Sequence, residues 1–239
     1  MIPQNIDNSD FTIIIPTLNE EKSIRILLSE IEKCAPETKI IVSDDGSTDC
    51  TSELVTTFDG NLDVLFLDRK KEQIHGLTIS VLDAIKTCKT TYFLVMDGDL
   101  QHPPEAIVKF YRLLYENNDL VAGNRIKVVG KWPLHRKLMS YIAALMGKIT
   151  LILKRRNSIK DIMTGFFGSK KELWESIINK EGEKFTLEGY KVLFDFLKIY
   201  PEKLKISYVD YVFGTRDHGE SKITSRIVWL YFKSLFKKS

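Results

Sequence analysis

The sequence predicts an α/β protein with a mostly parallel central sheet and helices on both faces. Three observations carry that prediction. Short apolar runs alternate with helix-period segments through the first half of the chain. Three of these runs end in acidic or amide groups: Asn19-Glu20, Asp44-Asp45 and Asp97-Gly98-Asp99. The composition, 44% hydrophobic and 28% charged over 239 residues, suits one sizeable globular core. Right-handed crossovers set the C-termini of parallel strands along one edge, which is where such sheets bind ligands.

The elements follow in order. Residues 1–10 read as a tail with no basic start and no apolar signal core. Phe11–Ile15 is a strand, broken by Pro16-Thr17-Leu18-Asn19. Glu20–Cys34 carries Ile24, Leu27, Leu28 and Ile31 at helical spacing. Lys39–Ser43 is the second strand, and Asp44-Asp45-Gly46-Ser47 is a turn. Thr48 or Asp49 then caps a helix reaching Phe58. Leu62–Leu67 is a third strand, Leu77–Cys88 a helix and Tyr92–Met96 a fourth strand. Pro103 and Pro104 suit a first helical turn, with Glu105 near its positive end.

The second half is less regular. His135–Lys154 reads as one long helix, nearly all apolar from Leu138. It is too short and interrupted for a membrane span and fits an interfacial or buried helix. Glu172–Asn179 and Leu187–Ile199 read as helices, and Ile206–Phe213 as a strand. Ser221 caps a terminal helix on which Lys222, Arg226, Lys233 and Lys237 form one stripe. Residues 11–220 thus form the main domain and 221–239 a basic amphipathic helix.

Charge is distributed unevenly although the net value is only +3. No acidic residue lies between Asp119 and Asp161, where Arg125, Arg136 and eight other basic residues stand. An anionic partner is expected there: nucleic acid, acidic lipid or a phosphorylated substrate. Aliphatic rather than stacking aromatic residues interleave the basic ones, which disfavours nucleic acid. Cys34, Cys50 and Cys88 have no metal or redox spacing and read as reduced thiols.

The chemistry concentrates at Asp97-Gly98-Asp99. Two carboxylates at one strand end repel unless a cation lies between them. A magnesium-type ion takes one or two carboxylates and completes its sphere with phosphate and water. Gly98 would let a ligand approach the backbone. The pattern is that of a metal–diphosphate clamp.

Taken together, Ile15–Glu20, Asp44–Asp49 and Met96–Pro104 resemble the inverting GT-A glycosyltransferases of family two. The Gln101-His102-Pro103-Pro104 tail is similar to the polyprenyl (dolichyl)-phosphate mannose synthase type. Gly123-Asn124-Arg125, Arg136 with Ser140, Asp161–Phe166, Glu188, Arg216 and Gly219–Lys222 agree in order. The resemblance implies a GT-A, Rossmann-like sandwich with interfacial C-terminal helices. It implies a donor site of Pro16, Thr17, Asn19, Glu20, Asp44, Asp45, Asp97, Gly98, Asp99, Arg216 and Lys222. It implies Mg2+ or Mn2+ on Asp97, Asp99 and Gln101, and an acceptor phosphate on Arg125, Arg136 and Ser140. Asp99, Arg125 and Arg136 would carry catalysis. The family's Gly-Leu-Gly is Gly76-Leu77-Thr78 here, which restricts that loop.

The implied reaction moves mannose from GDP-mannose to a polyprenyl phosphate at the cytoplasmic membrane face, where a partner subunit could anchor the chain. UDP-glucose or another UDP-sugar is the alternative donor. A catalytically inactive membrane-surface module is the alternative of another class. A nucleotidyltransferase is disfavoured because residues 11–45 lack glycine, and a processive synthase because no Gln-x-x-Arg-Trp element is present.

Overall fold

In the computed structural model, residues 8–129, 134–214 and 225–237 are described, with the side chains of residues 8, 134–137, 225 and 227 set aside. Their core is a seven-stranded sheet of order β3-β2-β1-β4-β6-β5-β7. The strands are β1 Phe11–Thr17, β2 Lys39–Asp44, β3 Asp63–Asp68, β4 Tyr92–Val95, β5 Leu120–Val128, β6 Phe167–Lys170 and β7 Ile206–Phe213. Parallel pairing joins β3, β2, β1 and β4, and also β5 and β7, while β6 runs antiparallel to β4 and β5. Six strands therefore point one way and the sheet is mostly parallel, as expected. β5 and β6 lie in the half where no regular pattern is evident. Gly123 and Gly168 interrupt their apolar runs because backbone and side chains press close there: an added Cβ would meet Phe166 O at 2.8 Å and Phe93 O at 3.0 Å respectively.

The strand period of two divides the core. Phe11, Ile13 and Ile15 point to one face with Ile24, Leu27, Leu28, Ile107 and Phe110. That face is covered by α1 Ile24–Cys34, α2 Thr51–Thr56 and α4 Ile107–Tyr115. Ile14 and Ile41 point to the other, with Val81, Trp174 and Phe196. It is covered by α3 Leu77–Thr87, α6 Lys171–Glu181 and α7 Val192–Ile199. Trp174 stacks on Phe196 with ring centroids 4.1 Å apart, locking α6 to α7.

Two further helices, α5 Leu134–Leu153 and α8 Ser225–Phe236, pack outside α7. Ala143, Gly147 and Leu151 face inward, whereas Leu138, Ile142, Leu145, Ile149 and Ile152 remain exposed. The Tyr231 hydroxyl of α8 donates to Ala143 O (2.8 Å). A Cβ on Gly147 would meet that hydroxyl at 2.5 Å, so the close crossing needs glycine. Among the described residues no helix is long and apolar enough to cross a membrane.

The basic stripe of α8 is not simply a solvated edge. Arg226 pairs with Glu188 (2.8 Å), and Lys237 donates to the carbonyls of Glu183 and Phe185 (2.7 and 2.8 Å). Tyr231 and Leu235 are buried, so the helix is docked on the protein through one face. Ser221 and Lys222 lie outside the described residues.

The helical period before Ile199 extends back to Leu187, but α7 starts only at Val192. The difference has a cause. Leu187 O and Gly189 O accept the N–H groups of Ile79 (3.1 Å) and Thr78 (3.0 Å) at the start of α3. The segment thus satisfies another helix's free donors. Thr78 lies in α3's first turn without a positive φ, so its backbone there needs no glycine, but its buried hydroxyl has no hydrogen-bond partner among the described residues. Gly76, at φ +152°, is the position that needs freedom: a Cβ would lie 2.6 Å from Glu188 Cα.

Candidate active site at the strand C-termini

The chain reverses its order across the sheet between β1 and β4, creating the crevice where open α/β sheets hold ligands. Pro16 and Thr17 end β1 as buried strand residues. Thr17 Oγ1 donates to Asp44 Oδ1 (3.0 Å), and the N–H groups of Gly46 (3.2 Å) and Ser47 (2.8 Å) donate to Asp44 Oδ2. Asp44 is 2% exposed, and its carboxylate shapes the turn through these three bonds.

Asp45 stands at the rim. Its Oδ2 accepts from Gly76 N (2.6 Å), and its Oδ1 meets His75 Nδ1 (3.1 Å) and the Arg69 guanidinium. Arg69 is itself buried and also holds Asp83 (3.0 Å) and Ile74 O (2.9 Å). Asn19 has φ +53°, and its Oδ1 accepts from Thr48 N (2.8 Å). Glu20 N donates to Thr51 Oγ1 (2.8 Å). Burial alone would raise the Asp49 carboxyl, but bonds from Thr51 and Glu21 outweigh it and hold the group low. The β1 and β2 loops thus brace one another.

Asp97, Gly98 and Asp99 follow β4 directly. Gly98 lies against the end of β1: a Cβ there would meet Thr17 Cγ2 at 3.3 Å and Glu20 Cγ at 3.5 Å. Its small size serves loop packing as well as any ligand. Asp99 is buried and its Oδ1 accepts from Gln101 N (3.1 Å). Gln101 Nε2 donates to Gly214 O (3.1 Å), which ties the turn to the exit of β7 and leaves Oε1 on the amide's other arm.

His102 completes the turn and is a residue for which the sequence suggested no role. Its Nδ1 accepts from Asp97 N (3.0 Å), so Nε2 carries the proton of the neutral ring. Nε2 lies 3.7 Å from Asp97 Oδ2. Burial lowers the imidazole's affinity for a second proton, more than the Asp97 and Asp99 charges restore it. The ring stacks on Phe166, centroids 4.6 Å apart. His102 therefore fixes the Asp97 backbone as a neutral acceptor.

No three His, Cys, Asp or Glu side chains form a metal cluster among the described residues. The oxygen set of Asp97, Asp99 and Gln101 nevertheless fits a hard divalent ion whose remaining positions come from a bound diphosphate and water. Gly165 leaves room beside it, since a Cβ there would lie 3.6 Å from Asp97 Oδ1.

Across the crevice, Arg125 follows Gly123-Asn124 in β5. A register shift between Arg125 and Lys127 opposite β7 bends the strand at this point. Arg125 Nε and Nη2 grip Asp161 Oδ2 (2.5 Å) and Oδ1 (2.9 Å) in a fork. The acid-free stretch after Asp119 suggested that Arg125 lacks an acidic partner; the structure supplies the acid that closes the stretch. Burial opposes both charges, but their mutual bonding raises the Arg125 guanidinium and lowers the Asp161 carboxyl.

Lys191 joins this group and has no distinguishing mark in the sequence. Its Nζ donates to Met163 O. Burial and Arg125 push its ammonium down to about 8, against the pull of Asp97 and Asp161. Ser140 lies half-buried on α5. Arg136 falls in the first turn of α5, but its side chain lies outside the described residues, as do Arg216 and Lys222 entirely.

Comparison with known proteins agrees with this geometry. Residues 12–178 match the family "Glycosyl transferase family 2". A dolichol-phosphate mannosyltransferase of Pyrococcus furiosus is 34% identical over 231 residues, 95% of this chain, and the chain spans 62% of that relative's length. The enzyme of the same name from Saccharomyces cerevisiae is 28% identical, covering 95% of this chain and 85% of its own. Glucosyl-3-phosphoglycerate synthase from Mycobacterium tuberculosis, in complex with Mn2+, UDP and glucosyl-3-phosphoglycerate, superimposes with a TM-score of 0.62 at 17% identity, over 95% of this chain and 77% of that one. That likeness establishes the GT-A fold. With more than half its residues matched, the chain belongs to glycosyl transferase family 2.

Proposed function

We propose that this chain transfers mannose from GDP-mannose to a polyprenyl phosphate, with a divalent metal and inversion at the anomeric carbon. One observation carries the reading. An oxygen-rich turn, Asp97–Gln101, lies close enough to Arg125 and Lys191 for the Asp97 charge to act on both. The relatives named dolichol-phosphate mannosyltransferase support the choice of sugar and acceptor.

In this reading Asp97, Asp99 and Gln101 hold Mg2+ or Mn2+, which neutralises the departing diphosphate. Asn19, Glu20 and Asp45 line the donor side, and Arg125, Arg136 and Ser140 bind the acceptor phosphate. Arg216, with Lys222, would contact the donor phosphates or close over the site. The acceptor is already anionic, so a strong general base is unnecessary. One phosphate oxygen attacks the anomeric carbon, the bond to the donor phosphate breaks, and nucleoside diphosphate leaves. Orientation and electrostatics supply most of the acceleration.

The exposed apolar edge of α5 supports an interfacial, peripheral membrane location. Trp229 and Phe236 of α8, 60% and 80% exposed, add to that surface. A membrane-anchoring partner subunit is compatible with the same face. A UDP-sugar is the second donor reading, favoured by the UDP in the mycobacterial complex.

The test is a donor panel of GDP-mannose, UDP-glucose and UDP-N-acetylglucosamine with farnesyl phosphate, with Mg2+, Mn2+ or EDTA. Mannosyl transfer abolished reversibly by EDTA is expected. Transfer from UDP-sugars alone would move the assignment to the second reading. Absence of transfer from every donor, with farnesyl phosphate bound, would favour the inactive binding module.

A further inference from the structure

We propose that Lys191 is a phosphate-binding residue of the acceptor half-site, receiving the acceptor phosphate beside Arg125 and presenting it toward Asp97; this rests on the polyprenyl-phosphate reading above. The turn 161–165 carries the geometry. Asp161 forks onto Arg125, and Met163 N donates to Asp161 Oδ1 (3.0 Å). Met163 O accepts from Lys191, and Gly165 lies beside Asp97, where a Cβ would come 3.6 Å from Asp97 Oδ1. Five residues thus bind the acceptor arginine and a lysine and lie next to a metal-side carboxylate.

Lys191 is incompletely matched. An ammonium has three donors. Its partners are one carbonyl and the face of the Tyr190 ring, 4.5 Å away, with no carboxylate in ion-pair contact among the described residues. Lys198 provides the contrast. It is fully buried, but Asp195 (3.0 Å) and Ser234 O (2.8 Å) satisfy it, and it ties α7 to α8. Arg125, for its part, gives two of its five N–H groups to Asp161, so a phosphate dianion there needs a second cation. The depressed ammonium of Lys191 agrees with a site that awaits an anion.

Lys191→Gln removes the charge while retaining an amide donor, one bond shorter, on the side of Met163 O. Calorimetry with farnesyl phosphate is expected to show at least a tenfold weaker affinity in the variant. Lys191→Arg should recover part of it. Farnesol, which lacks the phosphate, should bind both proteins alike, and Mn2+ with GDP should bind the variant within twofold of wild type. Equal farnesyl phosphate affinity in wild type and a folded Lys191→Gln overturns the proposal and leaves the functional reading standing. Equal weakening of GDP also overturns it, by making the lysine a general support. Failure of wild type to bind farnesyl phosphate overturns both.

Discussion

The two sides of the crevice are held by different kinds of partner. On the β1–β4 side, Asp44, Asp49 and Asp99 are met by hydroxyls and backbone N–H groups. Those bonds shape the turns without consuming the carboxylate charge, whereas Asp45 is also ion-paired with Arg69. On the β5–β7 side, Asp161 cancels most of Arg125 and Lys191 adds a further positive charge. One half therefore retains negative charge that suits a cation, and the other retains positive charge that suits a phosphate. A transferase joining a metal-bound diphosphate to an anionic acceptor needs that opposition across a short gap.

The largest effect should come from removing charge on the metal side. Asp99→Asn is expected to lower transfer by roughly a thousandfold and to abolish Mn2+ binding, with an unchanged circular dichroism spectrum. Undiminished Mn2+ affinity would mean that the two halves do not differ as described.

Breaking the pair on the other side should act on stability. Asp161→Asn leaves Arg125 partly buried and unpaired, and should cost about 2 kcal/mol at neutral pH, less than a fully enclosed pair would. The sign with pH follows from the lowered Asp161 carboxyl. Its stabilisation is complete above the usual carboxylate range and is lost as pH falls through the folded value. Urea unfolding of wild type and variant should therefore converge in acid; a constant gap would contradict the pairing.

Much of the metal-side half was legible because its motifs are continuous. Asp97-Gly98-Asp99 after an apolar strand states the fold position and points to the metal chemistry proposed for it. The acceptor half was legible only as a list of cations. Nothing in the sequence announces that Asp161 returns to Arg125, or that Lys191 reaches Met163 O, since α5 separates the first pair and β6 and α6 the second. β5 and β6 were hidden by glycines kept for close contact, and the start of α7 by a segment serving α3. His102 was hidden in plain view: its role depends on a buried ring nitrogen, which spacing does not reveal.

Two smaller effects sharpen the contrast within α5. Gly147→Ala forces the Tyr231 hydroxyl aside from 2.5 Å; overpacking costs about 1–3 kcal/mol, offset by about 1 kcal/mol of helix propensity. A net loss of about 1 kcal/mol is expected in thermal unfolding. On the opposite face, Ile149→Ser should change stability by less than about 0.5 kcal/mol while reducing sedimentation with anionic liposomes. Unchanged sedimentation would remove the membrane-facing role of that edge.

The opposed halves are tested most directly by crossed calorimetry on two variants, Asp45→Ala and Arg125→Gln, each titrated with GDP plus Mn2+ and with farnesyl phosphate. Asp45→Ala should weaken the nucleotide at least tenfold and leave farnesyl phosphate within twofold of wild type; Arg125→Gln should do the reverse. Equal loss of both ligands in both folded variants would contradict a divided site and reduce these residues to general supports of the rim.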